Sequence, residues 1–159
     1  MRIDTRPLKQ SDFSEVEELF AESFPRIPRS DLRISWNDRS KEDSVGMFIT
    51  DDREARDILI GFVIASYHPN SGRSMYVDYF ALAKEYRGSG LGTNFLLQLV
   101  TDCYDKKGSI HLYPERVDLI PWYERNGFRK THGGYYVFHS YTTRARHRIH
   151  MELGLASDP

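Results

Sequence analysis

Apolar and polar positions alternate from Ile3 to Leu8, the period-two pattern of a strand with one buried face. The period then lengthens: Phe13, Val16, Leu19, Phe20 and Phe24 fall on one side of a helix, with Ser11 or Asp12 placed to cap its start. Pro25 and Pro28 end that helix, and the stretch from Arg29 to Arg39 has room for a second short one. Val45 to Thr50 reads as a strand and Asp51-Asp52-Arg53 as the turn after it. The run Ile58 to Ser66 is almost uninterruptedly apolar, as expected of a strand buried on both faces at the centre of a sheet. His68-Pro69-Asn70-Ser71-Gly72 predicts a hairpin turn into a strand from Met75 to Leu82.

Helical spacing returns from Leu91 to Tyr104 and stops at Lys106-Lys107-Gly108, cations and then glycine. Ser109 to Tyr113 is a strand, and Asp118 to Asn126 a helix closed by Gly127. Pro121 lies inside that helix, which predicts a late start or a kink. Phe128 to Thr131, Tyr135 to Ser140 and His147 to Leu153 complete the strands. This order argues for a mixed α+β sandwich, and 159 residues suit one domain over 1–159 with a sizeable core.

Charge changes this picture little. A formal net charge of -1 offers no field for nucleic acid, so no nucleic-acid partner is expected. The N-terminal stretch lacks the apolar core of a signal peptide, and no apolar run nears the roughly 20 residues that span a bilayer. A soluble cytoplasmic protein without a membrane partner is the expectation. The single cysteine, Cys103, has no partner for a disulfide or a metal site and reads as a small core residue, and no metal is expected.

Chemistry concentrates in Arg87-Gly88-Ser89-Gly90-Leu91-Gly92-Thr93, a turn between an apolar strand and a helix. Gly88, Gly90 and Gly92 permit positive φ and the close approach of a ligand, while the helix beginning near Gly90 turns unpaired N–H groups and its positive end toward the same point. This is a cradle for a diphosphate. No Gly-Lys-Ser/Thr follows, so it is not a nucleoside-triphosphate loop, and the glycine spacing is not that of a dinucleotide fold.

The turn fits Arg/Gln-x-x-Gly-x-Gly/Ala, and Tyr123-Glu124-Arg125-Asn126-Gly127-Phe128 fits Tyr-x-x-x-Gly-Phe. Together with the order of elements, these motifs resemble the GNAT superfamily of N-acetyltransferases. The resemblance implies a mostly antiparallel sheet of six or seven strands with about four helices, splayed between the fourth and fifth strands. It implies acetyl-coenzyme A as acyl donor, its diphosphate held by Arg87, Gly88, Ser89, Gly90, Leu91, Gly92 and Thr93 and its pantetheine paired with backbone near Leu82 and Ala83.

Acetyl transfer to an amine requires a proton to leave the ammonium, and the departing sulfur gains from receiving one. On the resemblance, Tyr123 serves the sulfur. For the base, His111 lies twelve residues before Tyr123, where some members carry glutamate, and an imidazole of ordinary pKa about 6.5 suits the task. Asp78 interrupts an apolar strand, so its carboxylate is solvated, paired or functional. Glu115 follows a strand end and equally suits a helix cap. Proton loss through a water chain would use none of the three. Arg116 stands where many members carry a cofactor-contacting asparagine, which puts that contact in doubt.

Arg144, Arg146, His147, Arg148 and His150 form a basic cluster suited to an acidic ligand or to solvent, and Phe24-Pro25, Arg33 and Trp36 lie where the family builds its acceptor wall. The expected acceptor is a primary amine of a small molecule. Protein N-terminal or lysine acetylation, a non-catalytic acyl-coenzyme A sensor or partner module, and an anion-binding fold for other phosphorylated ligands are the alternatives. Tyr135 to Phe138 is apolar enough for the edge of a homodimer or for core.

Overall fold

The computed structural model describes residues 2–50, 53, 56–67, 74–105, 108–114, 117–131 and 135–139. The chain divides into two compact units, Met1–Ser66 with Val77–Gly92, and Tyr67–Tyr76 with Thr93–Pro159. Among the described residues there are seven strands and four α-helices, a mixed α+β architecture, as the sequence pattern predicts, of mostly antiparallel strands, as the resemblance implies.

In the first unit β1 (Arg2–Pro7) pairs antiparallel with β2 (Val45–Thr50), and β2 with β3 (Asp57–Tyr67). The β2–β3 register slips between Met47, opposite Gly61, and Phe48, opposite Leu59, so β3 carries one extra residue at Ile60. A bulge resets side-chain alternation. Leu59 therefore shares a core cluster with Phe62 and Ile64 rather than with the residues two and four further on. Every residue from Leu59 to Ala65 is buried, consistent with the continuous apolar run. β4 (Ser74–Leu82) runs antiparallel to β3, with Ser66 Oγ donating to Asp78 Oδ1 at 3.3 Å and Ala83 N–H to Ile60 O at 2.7 Å. Gly61 allows this approach, because a Cβ there would meet Ala81 O at 3.0 Å.

Helices α1 (Phe13–Ser23) and α2 (Arg29–Asn37) add Val16, Leu19, Phe20, Leu32 and Trp36 to the same core. Asp12 does not cap α1 as expected. Its buried carboxylate instead accepts two hydrogen bonds from Arg6, at 2.8 and 3.0 Å, and one from Lys9 N–H at 2.7 Å. The carboxylate thus serves a fork-shaped guanidinium and the turn before α1 rather than the N–H groups of α1, and Arg6 also lies over the Phe48 ring at 3.9 Å.

In the second unit β5 (Ser109–Leu112) pairs antiparallel with β7 (Tyr136–His139), and β7 with the two-residue β6 (Arg129–Lys130). Residues 74–76 of β4 flank β5: Ser109 Oγ lies 3.1 Å from Ser74 Oγ, and Tyr76 stacks on His111. Both contacts advance in the same chain direction, so this neighbour is parallel. Helix α3 (Leu91–Asp105) buries Phe95, Leu96, Leu99 and Val100, and α4 (Ile120–Arg125) follows a single 3-10 turn over Val117–Leu119. Pro121 sits in the first turn of α4, where its missing N–H costs no helix hydrogen bond. The helix starts late rather than kinking. The expected hairpin at His68 to Gly72, Glu115, Arg116, the basic cluster from Arg144 to His150, the last strand and the side chain of Cys103 lie outside the described residues.

Candidate active site

β4 ends at Leu82, a 3-10 turn covers Lys84–Tyr86, and α3 begins at Leu91. Between them Gly88 and Gly90 have φ of +80° and +85°. A Cβ built on either meets nothing within 4 Å, so conformation, not crowding, requires glycine, and the space beside both is open. The third glycine differs from expectation: Gly92 lies within α3 and has no positive φ. The first N–H groups of α3 have no intrahelical acceptor, and the helix is positive at that end. Side chains brace the turn from below. Arg87 Nε donates to Leu82 O at 2.9 Å and Ser89 Oγ to Tyr86 O at 2.7 Å, so Ser89 offers a ligand its backbone N–H rather than its hydroxyl hydrogen. Ala83 N–H is committed to Ile60. By strand alternation the N–H of Leu82 projects to the opposite side.

In the second unit the Tyr123 to Phe128 motif has a direct structural cause. Gly127 takes φ +96°, its N–H donates to Glu124 O at 3.1 Å, and Phe128 N–H donates to Tyr123 O at 3.1 Å. These are the paired bonds of a Schellman helix end, and the hydrophobic contact that accompanies it is Tyr123 on Phe128, ring centroids 5.7 Å apart. The spacing of the motif is thus the spacing of a helix cap. Tyr123 is 7% exposed, and burial pushes its phenol up to about 12. Trp122 packs beside it at 5.0 Å and donates its indole N–H to Thr93 Oγ1 at 3.0 Å.

His111, on β5, is half-buried. Its Nε2 lies 3.0 Å from Ser109 Oγ, and its ring stacks on Tyr76 at 4.6 Å and 18°. The edge of Tyr135 meets Tyr76 at 6.3 Å, and Tyr113 meets Tyr135 at 5.7 Å, so His111 belongs to an aromatic cluster with two exposed members. Asp78 lies in the first unit. Burial raises its carboxyl above the usual range, hydrogen bonds from Ser35 and Ser66 oppose that rise, and Asp38 adds to it. A carboxyl so held accepts a proton more readily than a solvated one.

The family model described as Acetyltransferase (GNAT) family matches residues 13–128, from the start of α1 to the Schellman phenylalanine. The chain belongs to the GNAT family. No curated protein matches it. Solved structures of similar fold include a GNAT acetyltransferase of Staphylococcus aureus Mu50, at 16% identity and TM-score 0.68 over 87% of this chain and 99% of that one. The ribosomal-protein-S18-alanine N-acetyltransferase of Escherichia coli gives 15% and 0.66 over 89% and 96%. The NatC complex bound to Gag peptide and CoA gives 18% and 0.66 over 87% and 99%.

For a GNAT chain the residues missed by sequence reading are instructive. Trp122 stands next to Tyr123 but meets Thr93, 29 positions away, and no local period announces that pair. Ser109 and Ser74 are 35 positions apart. Arg87 was legible as a motif residue, but its bond to Leu82 O was not, because it depends on the turn's closure. Among the described residues no group of His, Cys, Asp and Glu is arranged to hold a metal, and no helix is long and apolar enough to cross a membrane.

Proposed function

We propose that this GNAT chain transfers an acetyl group from acetyl-coenzyme A to a primary amine, with a small molecule as acceptor, in a single 1–159 domain. The observation that carries the reading is the turn at Gly88 and Gly90, with positive φ, open space beside it and a helix start directly behind. Acetyl-coenzyme A supplies the thioester. Backbone N–H groups from Gly88 to Thr93 hold its diphosphate, since that of Arg87 donates to Lys84 O at 3.3 Å, and Leu82, rather than Ala83, offers the N–H for pantetheine.

Tyr123 stabilises charge on the departing sulfur as a hydrogen-bond donor. A phenol held at about 12 is a weaker acid than a thiol, whose ordinary value is about 8.5, so outright proton transfer from it costs roughly 5 kcal/mol. A donor aimed at developing charge acts without that cost. His111 takes the proton from the ammonium, oriented by Ser109 and by its stack on Tyr76. Asp78, with its raised carboxyl, is the competing base.

A peptide N-terminus is the second reading for the acceptor. The exposed rings of Tyr113 and Tyr135 favour it, since they offer contact area that a bare amine would not use. A thiol-release screen with acetyl-coenzyme A against polyamines, amino acids, aminoglycosides and short peptides tests both readings. Turnover with a small amine supports the first, turnover with peptides alone the second, and binding without release to any acceptor supports a sensor.

A further inference from the structure

Trp122 and Thr93 are joined by a hydrogen bond of 3.0 Å between the helix that carries Tyr123 and the first turn of α3. Its direction is fixed by chemistry, because an indole nitrogen only donates. Thr93 Oγ1 is therefore the acceptor, and its own hydroxyl hydrogen must find another partner. Thr93 is the third residue of α3, where the backbone N–H groups lack intrahelical acceptors and the helix is positive.

We propose that Trp122 is a positioning residue for the cofactor: its indole N–H holds Thr93 with the hydroxyl hydrogen presented to the diphosphate. The inference rests on the acetyl-coenzyme A reading above. It assigns Trp122 a role independent of its packing on Tyr123. It also makes Thr93 a side-chain donor in a turn where Ser89 cannot be one, since the hydroxyl hydrogen of Ser89 is spent on Tyr86 O. The competing use of the Thr93 hydrogen is a back-bond to a carbonyl of the preceding turn, which serves the helix and not the ligand.

Calorimetric titration of the full chain with coenzyme A, beside turnover of S-acetylpantetheine, which lacks the diphosphate, separates these roles. Thr93→Val and Trp122→Phe should each weaken coenzyme A binding about tenfold, the scale of one hydrogen bond to a charged group. Combined they should be no worse than either alone. Thr93→Ser should bind like the unaltered chain, and in Thr93→Val and Trp122→Phe kcat/KM for S-acetylpantetheine should fall several times less than coenzyme A affinity. Several results overturn the proposal: Trp122→Phe binding normally while Thr93→Val does not, additive losses in the double variant, equal losses with S-acetylpantetheine, or a fall in melting temperature without loss of affinity. Failure of the unaltered chain to bind coenzyme A would instead overturn the cofactor reading, and the tether's role with it.

Discussion

The turn from Arg87 to Gly92 and the helix carrying Tyr123 hold their chemistry in different materials. In the proposed reading the turn works with backbone: two positive-φ glycines and the first N–H groups of α3 form the anion site, and Arg87 and Ser89 spend side-chain donors on carbonyls of the turn itself. The helix works with side chains, and each of its important groups depends on something distant in sequence, Trp122 on Thr93 and Tyr123 on burial. A backbone site leaves a compact signature in glycines. A side-chain site leaves one only where it coincides with a structural motif, as Tyr123 coincides with the Schellman cap.

That coincidence is what Tyr123→Phe separates. The ring contact with Phe128 survives, so melting temperature and coenzyme A affinity should hold while kcat falls about a hundredfold, the scale of one lost donor to developing charge; an unchanged kcat would reduce the tyrosine to its cap. A purely structural counterpart lies in the first unit. Arg6→Ala strands a buried carboxylate and should cost about 3 kcal/mol of stability, read by urea unfolding, with kcat per folded molecule unchanged.

The same ion pair predicts a pH dependence. Burial alone would raise the Asp12 carboxyl, but the bonds from Arg6 and Lys9 more than offset it and leave it below its ordinary value. A carboxyl lowered in the folded state stabilises above the unfolded value, about 3.9, and that contribution is lost as pH falls through the folded one. Asp12→Asn should therefore flatten the acid limb of stability, and an unaltered limb would assign it to other groups.

A smaller effect discriminates the bases. The acid limb of kcat/KM should vanish in His111→Gln and persist in Asp78→Asn; the reverse outcome transfers the role to the buried carboxyl. Ser109→Ala should displace that limb and lower kcat/KM only severalfold, since stacking on Tyr76 still orients the imidazole.

Legibility followed the range of the forces involved. Val45 to Thr50 was recovered to the residue, and the continuous apolar run of β3 announced a central strand, because burial on both faces writes itself locally. The extra residue at Ile60 left no mark, since a bulge is a property of pairing. Asp12 looked like a cap by position and became an ion pair through Arg6, on a neighbouring strand. Gly92 matched the glycine pattern but is helical, because two positive-φ residues suffice to turn the chain. The motif residues Tyr123 to Phe128 were legible by resemblance. The cap that explains their spacing needed coordinates.

The central claim is that the backbone from Gly88 to Thr93 holds the diphosphate of an acyl-coenzyme A. Titrating coenzyme A into the unaltered chain and into Gly90→Val tests it most directly, with thermal melting as the control for folding. A Cβ at position 90 meets no protein atom but strains a φ of +85° and fills the space beside the turn. Sub-millimolar, one-to-one binding that is lost by at least a hundredfold in a variant that still melts cooperatively is the predicted result. Equal binding by the two folded proteins, or none by the unaltered chain, would contradict it.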